Sequence, residues 1–236
     1  MKMSKSFLII IVLVLATALF SGCTAVEPAA GEEFILAARK EYVALDSARV
    51  DVINDETGES EQIFIFKYDE KDMMTYSYIG KGESIYIAQY NNGYEQFTEE
   101  NGVYNFAQTG DENFAAYSRD VPYPYAGEGL ILFYKSAVNN ELSYIASNEQ
   151  AMEICHVYDV TKLGETETVG EMTGFTVKYY FDGEGNLLYL KEITDVLLED
   201  GTEKTYSYSI YITERNAVDS VPNLVNTPNL DDGTIV

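Results

Sequence analysis

The chain is poor in basic residues, histidine, cysteine and tryptophan, and these shortages narrow the functions it can have. Lys and Arg number 15 against 39 Asp and Glu, which gives a formal net charge of −24 at pH 7. Such an acidic surface repels nucleic acid and anionic lipid headgroups, which excludes nucleic-acid binding, and it favours solubility and cationic partners. No apolar run reaches the length of about 20 residues that a membrane-spanning helix needs.

The single histidine, His156, directly follows one of the two cysteines, Cys155, in the segment EICHVYDV. A neighbouring thiol and imidazole suggest a nucleophile and its base. The segment has the composition of a strand, however, and adjacent side chains of a strand point to opposite faces. We therefore interpret both residues as packed strand positions. The remaining sequence contains no specific catalytic or metal motif, so we predict a protein without enzymatic activity, metal or cofactor.

The N-terminus has the pattern of an export signal. A basic start precedes an apolar run over residues 7–20, which has the size of a signal-peptide core. The run ends in LFSGC, which resembles the bacterial lipobox, where small residues precede a cysteine that receives diacylglycerol. The resemblance implies removal of residues 1–22, acylation of Cys23, a tether over 23–31 and a position on the extracytoplasmic face of the cell membrane, with Cys155 left without a disulfide partner. The alternative is an ordinary secretory peptide with a chance cysteine.

Residues 32–214 have the pattern of one domain that consists mostly of β-sheet. Apolar residues at helical spacing predict a first helix that begins at Glu32. Short segments of alternating polarity follow, separated by turns rich in Gly, Asn and Asp, and they predict antiparallel hairpins. An apolar segment over 128–138 predicts a second, buried helix. We expect residues 215–236 to form an irregular tail, and residues 139–152 stay unassigned.

The predicted fold class is α+β: a large curved antiparallel sheet, or half-barrel, of about nine or ten strands with two helices on or over its concave face. Alternation sorts the strand side chains into an apolar, aromatic face and a face of hydroxyl groups and charges. The segment IFIFKY is apolar on both faces, so a further element is expected to cover it. The apolar face either lines a ligand cavity or forms a packed core. The candidate lining residues are Met74, Tyr76, Tyr78, Phe175, Val177, Tyr179, Phe181, Tyr206, Tyr208 and Ile210.

The order of elements, with closing hairpins such as FTVKYYFDGEGNLLYLKEI, resembles the LolA/LolB-like superfamily. That superfamily includes lipoprotein carriers and receptors and the lipid-binding LppX/LprG-type lipoproteins. The resemblance lies in the layout of residues 32–214, and it implies a half-barrel that binds acyl chains, with the helix at 128–138 controlling entry. The expected partners are therefore the membrane, through Cys23, and a lipid or acylated ligand. The sequence identifies no protein partner.

Two further interpretations compete with these. The segment DGEGN at 182–186 has the oxygen-bearing residues of a calcium loop, but a strand resumes directly after it, which favours a hairpin turn. The chain also has 20 tyrosines, and tyrosine is favoured at interfaces. The alternative function is therefore a non-catalytic interaction module, in which a Tyr-rich sheet face with residues such as Tyr180 and Tyr211 contacts another envelope protein or a wall polymer.

Overall fold

The computed structural model contains an open sheet of 11 strands, with one helix among the residues that it describes. The described parts of the chain are residues 32–69, 71–82, 85–126, 141–148, 151–158, 160 and 170–224. The predicted signal peptide, Cys23, the tether, the second helix at 128–138 and the last part of the tail lie outside them. Within the described ranges, no helix has the length and hydropathy needed to span a bilayer.

The elements follow the predicted order of one helix and then a long series of strands. They are α1 (Glu32–Val43), β1 (Ser47–Asn54), β2 (Ser60–Tyr68), β3 (Met74–Gly82), β4 (Ile85–Asn91), β5 (Glu95–Glu100), β6 (Val103–Gln108), β7 (Glu141–Asn148), β8 (Ala151–Tyr158), β9 (Gly170–Asp182), β10 (Leu187–Leu198) and β11 (Glu203–Thr213). The strand order is β6-β5-β4-β3-β2-β1-β11-β10-β9-β8-β7, and every pairing is antiparallel. The predicted antiparallel sheet is confirmed, and β7 lies in the segment that the sequence left unassigned.

The segment DGEGN forms the hairpin turn between β9 and β10. Asp182 Oδ1 accepts hydrogen bonds from the backbone N–H groups of Glu184 and Asn186, at 2.8 and 2.9 Å. The Asn186 side chain donates to the other carboxylate oxygen, and these bonds together lower the pKa of Asp182. Gly185 has φ 87, a left-handed conformation that glycine adopts without strain. The carboxylate therefore organises the turn, as the hairpin interpretation predicts.

The helix covers one face of the sheet, which we name the α1 face; the opposite side is the outer face. On the α1 face, Val50 of β1 lies between Ile212 of β11 and Phe64 of β2, and all three are buried. Tyr42 of α1 packs edge-on against Phe66 of β2, with ring centroids 6.1 Å apart. Alternation along each strand thus places one set of apolar side chains in a common core under the helix.

Part of the outer face is covered by the chain that follows β11. Val218 is buried against Ile63 and Ile65 of β2, and Leu224 is buried in a cluster over β3 and β4. The Lys67 ammonium donates to the backbone carbonyl of Val218 at 3.0 Å, which fastens the segment to the sheet. This segment is the further element that the two-sided apolar pattern of IFIFKY predicts.

Candidate functional site

All ten predicted lining residues lie on the α1 face, on three strands of the sheet. Eight of them are buried, with exposed fractions between 0 and 8 %, and they belong to the common core. Only Tyr206 and Tyr208, both on β11, are partly exposed. The ten residues therefore share one face, as the alternation predicts, but most of that face is not open to solvent.

The part of the α1 face on β2 and β3 is filled by the loop that follows β6. Tyr123 of this loop stacks on Phe64 at 5.3 Å and on Tyr76 at 4.2 Å, and Tyr125 stacks on Tyr78 at 5.5 Å. Burial raises the pKa of the Tyr78 phenol to about 12. These aromatic contacts make this end of the face a packed core, where the predicted residues have a structural role.

The side chains around α1 are also closely packed. Phe34 packs on Phe181 at 5.8 Å. The crevice next to the helix, lined in part by Ala38, Tyr42 and Ile212, is too narrow to admit a water molecule. Among the described residues of this face, the tyrosines of β11 lie further along the strands and are partly exposed.

A glutamate occupies that region, although the sequence analysis did not single it out. The register places Glu192 of β10 directly between Val177 of β9 and Tyr208 of β11, on the α1 face. The signal was present in the sequence, because Glu192 follows the buried Leu190 by two residues and so shares its face. The residue as a whole is partly exposed.

The surroundings of Glu192 are aromatic. Desolvation raises the pKa of its carboxyl to about 7. Burial raises the pKa of Tyr125, Tyr179 and Tyr208, and the negative charge of Glu192 adds to the shift of each phenol. Among the described residues, none makes a hydrogen bond or an ion pair with Glu192, whose pKa is raised by desolvation alone. The three tyrosines therefore surround a carboxyl group with no countercharge.

A second carboxylate lies on the far side of Tyr208. Glu61 accepts a hydrogen bond from the Asn54 side chain at 2.6 Å, and it also bonds to the Tyr208 hydroxyl, whose pKa it raises after burial. The register between β1 and β2 shifts at Val52, next to this position. Two acidic groups thus flank one partly exposed aromatic ring.

The histidine lies in the same row of the sheet. His156 pairs with Val177 on the α1 face, whereas Cys155 pairs with Lys178 on the outer face, so the predicted separation of thiol and imidazole is confirmed. His156 is buried, and its desolvation lowers the pKa of the imidazole to about 4. Its Nδ1 atom has no hydrogen-bond partner within the described part of the chain. The ring packs on Tyr158 with centroids 4.3 Å apart.

The outer face has its own tyrosine cluster. Tyr189 stacks on Tyr180 at 4.4 Å and on Tyr211 at 5.2 Å, so that one row of rings crosses β9, β10 and β11. The three residues are partly exposed. Because the rings stack on one another, their edges and hydroxyl groups are the parts available to a partner.

The described residues hold no group of acidic, cysteine or histidine side chains arranged to bind a metal ion. No protein-family model matches the chain, and no curated protein is significantly similar to it. The geometry of the α1 face is therefore the main guide to function.

Proposed function

We propose that this chain is an exported, lipid-anchored and non-catalytic protein that binds a hydrophobic or acylated ligand on the α1 face. In this proposal, residues 1–22 are removed and Cys23 carries the anchor, as the lipobox-like LFSGC indicates. The observation that supports the site is the partial exposure of Tyr206, Tyr208 and Glu192 on a face that is mostly buried. The ligand region therefore lies on β9–β11, away from Met74, Tyr76 and Tyr78.

The half-barrel shape is part of the proposal, and Tyr125 supports it. Its ring stacks on Tyr78 of β3, and its phenol responds to the charge of Glu192 on β10. Four strand spacings separate β3 from β10. On a flat sheet these spacings amount to about 19 Å, which exceeds the reach of one tyrosine side chain. The stacking on β3 and the electrostatic coupling to β10 therefore favour a sheet that curves around the loop.

The driving force for binding would be the removal of apolar ligand surface from water. Each Å² of apolar surface contributes about 25 cal/mol, and each buried methylene group about 0.8 kcal/mol. The aromatic rings of Tyr206 and Tyr208 provide surface for an alkyl chain, while their hydroxyl groups stay near solvent. A short chain segment lying on these rings would be enough for measurable affinity.

Native mass spectrometry tests this proposal. The full chain with Cys23→Ser, which lacks the proposed anchor site, is purified gently and sprayed under native conditions. We expect a hydrophobic molecule to accompany it, to be lost in Tyr208→Lys, and to be kept in the outer-face control Tyr180→Lys. Circular dichroism confirms that both variants fold. The proposal fails if no molecule accompanies the parent protein and added dodecanol does not bind to it.

The row Tyr180, Tyr189 and Tyr211 supports a second candidate, an interaction module that uses the outer face. A photoreactive residue at position 189 tests it in intact cell envelopes, with the same residue at the exposed position Glu203 as the control. A discrete cross-linked product at position 189 alone would favour this candidate. Equal labelling at both positions would speak against it.

A further inference from the structure

A charged residue at position 192 lowers the stability of the folded protein, and the fold does not require a charged residue there. Val177 and Tyr208 flank it on the same face, and an apolar side chain at this position would continue the core. A buried carboxylate without a partner is destabilising, and buried charges in proteins are normally paired or bind a ligand. The position therefore calls for a partner of opposite charge from outside the described residues.

Among the described residues, the phenols of Tyr125, Tyr179 and Tyr208 couple to the charge of Glu192. Three further titratable groups lie in the same region: His156 opposite Val177 on β8, Glu61 bonded to Tyr208, and Lys204, which shares the face of Tyr208 on β11. The neutral imidazole and the phenols supply no positive charge, and Glu61 adds a negative one. The ammonium group of Lys204 lies over the ring of Tyr206 rather than in an ion pair with Glu192. Lys191, the next residue along β10, points to the outer face, where it bonds to Asp55 at 3.0 Å.

A neighbouring tyrosine of β11, two residues from Tyr208, is in contact with a cation. The ammonium group of Lys204 lies over the ring of Tyr206, 4.5 Å from its centroid. Aromatic faces attract ammonium groups through their quadrupole, and the attraction grows when the cation is desolvated. A carboxyl surrounded by tyrosine rings thus has the chemistry of an ammonium site. A metal ion would need more oxygen ligands than one or two carboxylates supply.

We propose that Glu192, surrounded by Tyr125, Tyr179 and Tyr208, binds the ammonium headgroup of a ligand whose apolar part lies along β11. This inference rests on the proposed function and adds the chemical class of the ligand: an amine with an alkyl or acyl chain. Glu61 strengthens the negative potential at the site from the far side of Tyr208. The net charge of −24 attracts such cations to the protein as a whole.

Three probes of equal chain length test the inference: dodecylamine, dodecanol and dodecanoate, each titrated into the full chain by calorimetry at about pH 8, where Glu192 is ionised. We expect the amine to bind about tenfold more tightly than the alcohol, because it adds one charge-assisted contact. The variant Glu192→Gln should lose this tenfold preference and still bind the alcohol. The control Glu203→Gln removes an exposed carboxylate and should keep the preference.

The outcomes separate this inference from the proposed function. Equal binding of all three probes, tighter binding of dodecanoate, or an amine preference that survives Glu192→Gln would overturn the inference and leave hydrophobic binding intact. Absence of binding by every probe would overturn both. As a second readout, amine affinity should increase as the pH rises through about 7 in the parent protein. It should lose this dependence in Glu192→Gln.

Discussion

Glu192→Gln should stabilise the protein in a way that depends on pH. The ordinary pKa of a glutamate is 4.5, and desolvation raises that of Glu192 to about 7. The folded protein therefore holds this proton more tightly than the unfolded chain, and ionisation opposes folding. Below pH 4.5 the carboxyl is protonated in both states and carries no ionisation cost. The cost grows as the pH rises from 4.5 and reaches its full value above about 7.

The size of the effect follows from the two pKa values. One pH unit of difference corresponds to about 1.4 kcal/mol, so the full cost of ionising Glu192 is about 3 kcal/mol. Because the side chain is partly exposed, solvent screening reduces this, and we expect about 2 kcal/mol. Glutamine has nearly the same shape and cannot ionise, so the variant escapes this cost.

Urea denaturation at a series of pH values measures the effect. The free energy of unfolding of Glu192→Gln, relative to the parent, should rise by about 2 kcal/mol between pH 4.5 and about pH 8. The exposed-site control Glu203→Gln should show little change across the same range. A Glu192→Gln difference that stays constant with pH would refute the reasoning, since it would mean that the carboxyl is solvated or already paired.

Two other substitutions test the core around the site. His156→Leu should remove part of the protein's sensitivity to acid, measured by acid denaturation. Burial lowers the pKa of this imidazole from 6.5 to about 4. In the parent, its contribution to stability is therefore present above pH 6.5 and is lost as the pH falls through about 4. Unchanged acid sensitivity would contradict this. Tyr123→Ala removes the ring that stacks on Phe64 and Tyr76, and should lower the free energy of unfolding by about 3 kcal/mol. Tyr94→Ala, at an exposed tyrosine, is its control, and equal losses would show that the loop stacking is not stabilising.

Local pattern in the sequence was enough to predict the sheet and its faces. Alternation in FTVKYYF places Phe175, Val177 and Tyr179 on one side, and the register confirms it. The apolar character of IFIFKY on both sides predicted a cover for the outer face, and Val218 belongs to the segment that provides it. These predictions succeeded because strand parity depends only on neighbours along the chain.

The packing of the α1 face could not be predicted in the same way. Tyr123 and Tyr125 reach Phe64 and Tyr78 across a long loop, and no periodicity in the loop signals this contact. The sequence therefore gave no reason to separate the filled region on β2–β3 from the partly exposed region on β11. Glu192 differs in kind: strand parity places it on the face of Leu190, but a charged residue carries no apolar signal that assigns it to a buried face.

The destabilisation caused by ionised Glu192 and its proposed role in amine binding are linked, because both depend on the protonation of the same carboxyl group. A ligand that binds only the folded protein stabilises it, and the gain increases with ligand concentration relative to the dissociation constant. An ammonium group beside the carboxylate would offset part of the cost that ionisation imposes on the free protein. With a pKa of about 7, the site is partly protonated near neutral pH, so binding an amine would release a proton. Acidification would protonate Glu192, which would weaken amine binding and remove the ionisation cost from the empty protein. The ligand would therefore be released at low pH without a loss of folding stability.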